Sequence, residues 1–191
     1  SWYAWSCLLG VLLGQNREKK TRFDSGTSEL EIIDLGSGDG TLSAEMAKFA
    51  KQVTCVDINP DILALARQRT ERLGMKNVSF LVEDASNLSL TSESLDVAFF
   101  SQSLHHLENP QKGLHEAARI LRTGGQVLVM ELASHKEEWV LEKLGHKWLG
   151  FKKEYLIDSM KNAGLTNLYS EVLPHRREEL FQIILSAGIK S

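Results

Sequence analysis

Residues 31–41 read EIIDLGSGDGT, an apolar run that leads into a loop with glycine at every second position and then into a helix-like segment. Glycine allows a backbone to turn tightly and also to approach a ligand closely. The following helix directs its free N–H groups and the positive end of its dipole at the same point. The stretch therefore predicts a strand–loop–helix unit that binds an anionic or strongly polar cofactor at residues 36–41.

The spacing of the glycines bears on which cofactor is bound. A dinucleotide-binding fingerprint requires G-x-G-x-x-G. The glycines here are Gly36, Gly38 and Gly40, preceded by Asp34 and followed by Thr41, which is a poor match to a pyrophosphate site. A tight turn without a ligand is the alternative interpretation, and the presence of three glycines makes it the less favoured one.

Strand and helix patterns alternate along most of the chain. Strands are predicted at 29–35, 52–57, 78–83, 94–101 and 125–132, helices at 41–49, 60–73, 111–121 and 152–163, and two late strands at 167–173 and 180–187. Such alternation predicts an α/β fold whose mostly parallel sheet is covered by helices on both faces. The two late strands have no helix between them, so we expect an antiparallel hairpin at or near one edge of the sheet.

Composition indicates a single domain over residues 1–191, because 191 residues with 42% hydrophobic content can bury an ample core. The net charge is -3 and the charges are mixed along the chain, so direct contact with nucleic acid is not expected. Cys7 and Cys55 have no CxxC spacing. We therefore expect no zinc or other metal and no disulfide framework, and a reduced, cytoplasmic setting fits best.

The first 14 residues, SWYAWSCLLGVLLG, are apolar and uncharged. They are shorter than the roughly 20 residues that span a bilayer and lack the basic region of a signal peptide, so we expect no membrane span. Trp2, Trp5, Leu9 and Leu12 share one helical face. Residues 1–28 are therefore predicted to be an N-terminal helical segment and a candidate lid. The chain starts without methionine, so we expect a fragment of a longer protein or a processed chain.

The residues that follow each strand are the candidate site, because ligands of such sheets bind beyond the carboxyl ends of the strands. Asp57 ends the second strand, where a carboxylate can accept both hydroxyls of a ribose. A helix cap is the alternative role for Asp57. Asn59 is placed to cap the helix that starts at Pro60, which leaves Asp57 for the ligand.

Asp84 follows the third strand, where a carboxylate can accept the exocyclic amine of adenine. Ile58, Ala85 and Leu104 are apolar residues placed to sandwich the ring. Taken alone, Asp84 is better interpreted as a solvated loop acid. It becomes a ligand candidate because two other strand ends are already assigned to one nucleoside.

Histidines follow the fourth and fifth strands. His105 and His106 lie in a loop that would face the reactive end of the cofactor, and an imidazole with a pKa of about 6.5 can accept a proton near neutral pH. A packed structural role is the alternative for either histidine. His135 lies in residues 133–151, which have no counterpart in a minimal alternating fold. This segment is predicted to be either an insertion near the substrate site or a surface connection whose tryptophans pack on the sheet.

Five stretches together resemble the class I S-adenosylmethionine-dependent methyltransferases of the Rossmann-like kind. They are IIDLGSGDGTLS, VTCVDINPDILALAR, VSFLVEDASNLSL, LDVAFFSQSLHHLENP and ILRTGGQVLVMEL. The opening SWYAW, the run EEWVLEKLGHKWLGF and the end LFQIILSAGIK are similar to methyltransferase domains fused to arsenical-repressor-type regulators. The ubiquinone/menaquinone-type methyltransferases share the central motifs. The resemblance covers about residues 30–187.

The resemblance implies a Rossmann-like methyltransferase fold with a seven-stranded sheet, and S-adenosyl-L-methionine as the cofactor. It implies that the glycine loop holds the methionine part, that Asp57 binds the ribose, and that Asp84 binds the adenine amine. The full set of implied cofactor-binding positions is Asp34, Gly36, Ser37, Gly38, Gly40, Asp57, Ile58, Asp84, Ala85 and Ser101.

The implied reaction is an in-line displacement that moves a methyl group to a small-molecule acceptor and releases S-adenosylhomocysteine. If the acceptor must lose a proton, His105 or His106 is the candidate base, and His135 comes next. One rival is a non-catalytic domain that senses S-adenosylmethionine for a transcriptional regulator. A second rival is a nicotinamide-dependent oxidoreductase, which the missing G-x-G-x-x-G disfavours. A homodimer is an open expectation for the oligomeric state.

Overall fold

A computed structural model describes residues 29–175 and 180–191 of the chain. The predictions made for residues 1–28, including those for Trp2 and Trp5, lie outside the described residues.

Seven strands form one sheet in the order β3-β2-β1-β4-β5-β7-β6. The strands are β1 (Glu31–Leu35), β2 (Gln52–Asp57), β3 (Val78–Val82), β4 (Leu95–Ser101), β5 (Leu121–Leu132), β6 (Leu165–Val172) and β7 (Ile183–Lys190). β1 to β5 pair in parallel, whereas β7 runs antiparallel to both β5 and β6. The predicted fold class is therefore confirmed, and β6 of the antiparallel hairpin forms one edge of the sheet.

Five helices accompany the sheet in the described part of the chain. They are α1 (Thr41–Met46), α2 (Pro60–Arg72), α3 (Pro110–Ile120), α4 (Trp139–Lys143) and α5 (Lys153–Asn162), and a short 3-10 helix spans Leu104–His106. The core on one face contains Leu114 of α3 and Leu156 of α5. The core on the other face contains Leu42 and Met46 of α1. Helices thus lie on both faces of the sheet, as predicted.

The largest difference from the predicted boundaries is at β5, which begins at Leu121 rather than at residue 125. Leu121 pairs with Leu95, and the register then shifts before Val97 pairs with Gln126. A Cβ on Gly125 would lie 2.9 Å from the carbonyl oxygen of Asp96. The glycine at this position therefore allows the close approach of two strand backbones rather than ending the element.

An ionic group ties together β1, β4 and β5 at the end of the sheet opposite the glycine loop. The guanidinium of Arg122 donates to Asp96 at 2.9 Å and to Glu31 at 2.7 Å. The backbone N–H of Glu31 donates to the same Asp96 carboxylate at 3.0 Å. The bond to Arg122 is the main cause that holds the pKa of Glu31 below its ordinary value.

Every helix in residues 29–175 and 180–191 is too short or too polar to cross a bilayer.

Candidate cofactor and active site

A cavity of about 730 Å³ lies at the carboxyl ends of β1, β2, β3 and β4. The strand order reverses between β1 and β4, which is where ligands bind in open α/β sheets. Four loops supply most of its wall. The lining residues are Gly36, Ser37, Gly38, Asp39, Asp57, Ile58, Ile62, Glu83, Asp84, Ala85, Ser86, Ser101, Gln102, Ser103, His106, Leu107, Glu108, Asn109 and Lys112.

The three glycines of the first loop all have positive φ angles, but they do different things. A Cβ on Gly36 would lie 2.4 Å from Cβ of Ser103, and a Cβ on Gly40 would lie 2.7 Å from Cβ of Ala66. These two positions therefore need glycine for packing. A Cβ on Gly38 would meet nothing within 4 Å, and Gly38 lines the cavity. Its missing side chain leaves the backbone open to a ligand.

Asp57 joins the ends of β1 and β2. Its Oδ2 accepts the backbone N–H of Gly38 at 3.0 Å, and its Oδ1 accepts that of Asn59 at 2.9 Å. The side chain of Asn59 caps α2, as predicted, by accepting the N–H of Asp61 at 2.9 Å. Each carboxylate oxygen has two acceptor sites, so Asp57 retains acceptor capacity toward the cavity.

The acids after β3 differ in how they are held. Oδ1 of Asp84 accepts the N–H of Ser86 at 2.8 Å, and Asp84 is exposed at the cavity wall. Glu83 is bonded through both oxygens to Ser89. Of the three apolar residues predicted to sandwich the adenine ring, Ile58 and Ala85 line the cavity. Leu104 is fully buried in the core, so its prediction as part of the sandwich is wrong.

Asp34 lies beneath the loop and not in the cavity wall. Its side chain is fully buried, and one oxygen accepts the hydroxyl of Ser43 at 2.6 Å while the other has no hydrogen-bond partner among the described residues. Burial, opposed by the hydrogen bond from Ser43 and aided by the nearby charge of Asp57, raises the pKa of Asp34 to about 7. At neutral pH the carboxyl is therefore poised between its neutral and ionised forms.

The charge of the cavity wall is strongly one-sided. Five carboxylates face one lysine and no arginine among the lining residues. The acids are Asp39, Asp57, Glu83, Asp84 and Glu108, and the lysine is Lys112. Asp39 pairs with Arg69, and Glu108 pairs with Lys147. The negative excess therefore comes mainly from Asp57, Glu83 and Asp84, and this balance favours a ligand that carries positive charge and disfavours a pyrophosphate.

The structure gives the three predicted histidines different surroundings. His106 lines the cavity, and partial desolvation of its ring together with the neighbouring His105 lowers its pKa, so its imidazole is neutral and able to accept a proton at neutral pH. His105 is buried behind it with Nδ1 at 2.7 Å from Oε2 of the buried Glu131. His135 stacks on Phe181 at a ring distance of 4.4 Å and is not in the cavity wall.

Residues 133–151 pack against the wall of the cavity from outside. The backbone N–H of Lys147 donates to the carbonyl of His105 at 2.8 Å, and the indole of Trp148 donates to the carbonyl of Leu107 at 3.0 Å. Trp148 also stacks on Phe151. The segment thus supports the 3-10 helix at Leu104–His106.

Sequence reasoning missed several wall residues, because they follow no motif. Gln102 has a φ of 52°, a left-handed conformation that is uncommon outside glycine, and its N–H donates to the carbonyl of Met130 at 2.7 Å. The sequence feature that could have identified Gln102 as a wall residue is its position directly after β4. Leu107, directly after the 3-10 helix, and Lys112 of α3 also line the cavity, and predicting this would require knowing how those elements pack.

The structure therefore brings together most of the predicted positions. Eight of the ten proposed cofactor positions line the cavity, and the exceptions are Asp34, beneath the loop, and Gly40, against α2. Of the three candidate bases, only His106 lines it.

Residues 33–129, just over half of the chain, match the family described as "Methyltransferase domain". The chain belongs to this methyltransferase domain family. The resemblance to class I S-adenosylmethionine-dependent methyltransferases is thereby confirmed, and S-adenosylmethionine is the cofactor that this family membership assigns to the domain.

Relatives of this methyltransferase domain include two enzymes of quinone biosynthesis. A ubiquinone/menaquinone biosynthesis C-methyltransferase of Zymomonas mobilis is 29% identical over 124 residues, which are 65% of this chain and 47% of that protein. A demethylmenaquinone methyltransferase of Leptospira interrogans is 26% identical over 193 residues, with 95% and 75% covered. The chain thus spans about half the length of the first relative and three quarters of the second.

A solved structure of an S-adenosylmethionine-dependent methyltransferase of Thermotoga maritima has a TM-score of 0.68 to this domain, with 25% identity. The match covers 85% of this chain and 83% of that one. The relatedness to ubiquinone/menaquinone-type enzymes predicted from the central motifs is confirmed. The further similarity to domains behind arsenical-repressor-type regulators stays a prediction.

Proposed function

We propose that this domain transfers the methyl group of S-adenosylmethionine to a small-molecule acceptor by in-line displacement. The observation that carries the proposal is the acid-lined cavity at the strand-order reversal, with Gly38 and Asp57 hydrogen-bonded across its floor. S-adenosylmethionine has a sulfonium and an ammonium group against one carboxylate. Its net positive charge suits the negative excess that Asp57, Glu83 and Asp84 give the wall.

The proposed binding mode runs along the strand ends. The loop at 36–40 holds the methionine part, and Asp34 beneath the loop holds its amino group through a bridging water. Asp57 accepts the ribose hydroxyls and Asp84 the adenine amine, with Ile58 and Ala85 against the ring. Ser101 lies toward the sulfonium. This arrangement is supported by the shared cavity of Gly38, Asp57, Asp84 and Ser101.

Calorimetry tests the cofactor directly. We expect S-adenosylhomocysteine to bind and NADH not to bind. Asp57→Ala should weaken binding of S-adenosylhomocysteine by about 1–3 kcal/mol, because an acceptor of two ribose hydroxyls is removed. Asp158→Ala, on the exposed side of α5, is the matched control and should bind as the unchanged protein does. Equal binding by both variants would refute the ribose assignment, and tight binding of NADH would refute the proposed function.

For the acceptor we propose a quinol or related hydroxylated aromatic ring, with His106 as the base that removes a hydroxyl proton. Loss of that proton raises electron density on the ring, and a ring carbon attacks the methyl carbon: the new C–C bond forms as the C–S bond breaks, and neutral S-adenosylhomocysteine leaves. The attacking ring carbon then loses its hydrogen as a proton to solvent, which restores the aromatic ring. The proposal is supported by the quinone-type relatives and by the place of His106 in the cavity wall. The protein's main contribution is alignment and exclusion of water.

Turnover with a soluble dihydroxynaphthalene tests the acceptor. We expect methylated product, and we expect His106→Ala to lower kcat by about 100-fold or more, as loss of a general base does. His115→Ala is the control, because His115 is exposed on α3 and bonds to the carbonyl of Gln111. Binding of S-adenosylmethionine without turnover of any acceptor would favour the sensor alternative instead.

A further inference from the structure

Three histidines from two separate parts of the chain meet beside the cavity. His105 and His106 belong to the 3-10 helix at Leu104–His106, and His146 lies in the loop after α4. One ring nitrogen of each lies within 4.8 Å of one ring nitrogen of the other two. The ring centroids of His105 and His146 are 4.1 Å apart, and those of His105 and His106 are 4.3 Å apart. We call these three residues the histidine cluster.

One nitrogen of the cluster has no partner although it is buried. The residue His146 is 8% exposed, and its Nδ1 has no hydrogen-bond partner among the described residues. Leaving a buried polar atom unsatisfied costs about 1–3 kcal/mol. A neutral imidazole carries a lone pair on one of its two ring nitrogens, and this lone pair can bind a metal. A bound ion would satisfy that lone pair.

The cluster also has the outer support that metal sites use. Oε2 of Glu131 lies 2.7 Å from Nδ1 of His105, and it also accepts the N–H of Leu132 at 2.9 Å. A histidine held in this way by a carboxylate has its tautomer fixed and its other nitrogen available to a metal. The carbonyl of His105 accepts the N–H of Lys147, which follows His146, so the backbone fastens both parts of the cluster together.

We propose that His105, His106 and His146 bind one divalent transition-metal ion, with Zn²⁺ as the best match. Three imidazoles without a thiolate suit Zn²⁺ and its neighbours in the first row, and not Mg²⁺ or Ca²⁺. Zinc–nitrogen bonds of about 2.0–2.1 Å place tetrahedral ligands about 3.3 Å apart. The cluster would therefore contract by small side-chain rotations on binding.

The proposal revises the expectation of no metal, which rested on the spacing of Cys7 and Cys55 and did not consider histidines 40 residues apart. It also changes the role of His106. A metal-bound His106 would have its lone pair on the ion, so it would serve as the base of methyl transfer only in the metal-free protein, and the ion would supply Lewis acidity at its open position. The metal site itself does not depend on which acceptor is methylated.

Metal titration of the full chain without a histidine tag tests the site. Calorimetry with Zn²⁺ and visible absorption with Co²⁺ should each report one ion per chain, and the Co²⁺ spectrum should be tetrahedral. His106→Ala should lower the affinity by more than about 100-fold, beyond the effect of losing an outer-shell partner. Glu131→Gln should lower it by about 10–100-fold. His115→Ala, which changes an exposed histidine outside the cluster, should bind as the unchanged protein does.

Two results of the metal titration would contradict the proposed site. Equal affinity of the unchanged protein and His106→Ala, or an octahedral Co²⁺ spectrum, overturns the proposal. His106 is exposed, so its variant is expected to fold even if His146→Ala and Glu131→Gln do not, and circular dichroism checks this. Because ion binding is measured without an acceptor, a failure of the metal site and a failure of methyl transfer are distinguishable.

Discussion

The backbone N–H of Gly38 donates a hydrogen bond of 3.0 Å to the carboxylate of Asp57, which joins the ends of β1 and β2 across the floor of the cavity. Gly38 has a φ of +56° and open space where a Cβ would lie. An alanine here would project a methyl group into the space proposed for the cofactor without disturbing protein packing. A substitution of Gly38 therefore tests ligand binding without a change in the packing of the protein.

Gly38→Ala should weaken binding of S-adenosylhomocysteine by at least 10-fold, about 1.4 kcal/mol. Its left-handed backbone should also lower the free energy of unfolding by about 1–2 kcal/mol. Gly74→Ala is the matched control, because Gly74 has a φ of +68° and open space but lies at the end of α2, away from the cavity wall. It should lose similar stability and retain binding. Calorimetry and urea denaturation measure both quantities, and equal binding by the two variants contradicts the prediction.

Gly36 tests packing beneath the same loop. A Cβ there would lie 2.4 Å from Cβ of Ser103, which must move. Gly36→Ala should therefore destabilise the protein more than Gly38→Ala, by an additional 1–3 kcal/mol or so, as overpacking does.

A double-mutant cycle identifies the clash as the cause. Ser103→Gly removes the contacting atom, although it also removes the hydroxyl that donates to the carbonyl of Leu35 at 2.5 Å. The double variant should lose less free energy of unfolding than the sum of the losses of the two single variants, with a coupling energy of about 0.5–3 kcal/mol. If the losses in free energy of unfolding, measured by urea denaturation, are strictly additive, then the positive φ of Gly36, and not the contact with Ser103, causes the loss of stability.

Arg122 provides a prediction away from the site. Its guanidinium bonds to Asp96, which is 4% exposed, and to Glu31. Arg122→Met should lower the free energy of unfolding by about 1.5–3 kcal/mol, because it removes two charge-assisted hydrogen bonds, one of which is to the buried acid Asp96. Lys51→Met is the control, since Lys51 pairs with the same Glu31 at 3.2 Å on the exposed side. It should change stability by less than about 1 kcal/mol in denaturant titrations. Equal losses would contradict the argument from burial.

The sequence predicted the sheet and the cofactor corners well, because both depend on local signals. The apolar runs before Gly36 and through Cys55 mark strands, and Asn59-Pro60 marks a helix start. The residues after such strands converge by topology alone. Contacts between segments that are distant in the sequence could not be predicted from it. Neither the meeting of His146 with His105 nor the arrival of Lys112 at the cavity wall follows from spacing, since both depend on how loops and helices pack.

The start of β5 shows a second limit of sequence reasoning. Gly124-Gly125 has the composition of a turn, but the strand already begins at Leu121 because Gly125 allows close contact with β4. Leu104 shows a third limit. Its apolar side chain suits a ring contact as well as the core, and only the three-dimensional packing decides for the core.

Asp34 gives a pH-dependent prediction with a definite sign. Burial raises the pKa of its carboxyl from 3.8 to about 7 in the folded protein, so the folded state favours the protonated form. The resulting contribution to stability is fully present below about pH 4 and is lost as the pH rises to about 7. From the two pKa values it amounts to roughly 4 kcal/mol.

Asp34→Asn carries an uncharged group at every pH and should lack this contribution. The variant should therefore gain stability relative to the unchanged protein between about pH 4 and pH 7.5, by up to roughly 4 kcal/mol. The lowered pKa values of His106 and His146 make stability rise with pH in part of the same range. These histidines are present in both proteins, so their effect cancels in the difference. Urea denaturation at several pH values measures that difference, with Asp158→Asn as the exposed control. A difference that stays constant with pH would mean that the Asp34 carboxyl ionises in the folded protein as it does in water.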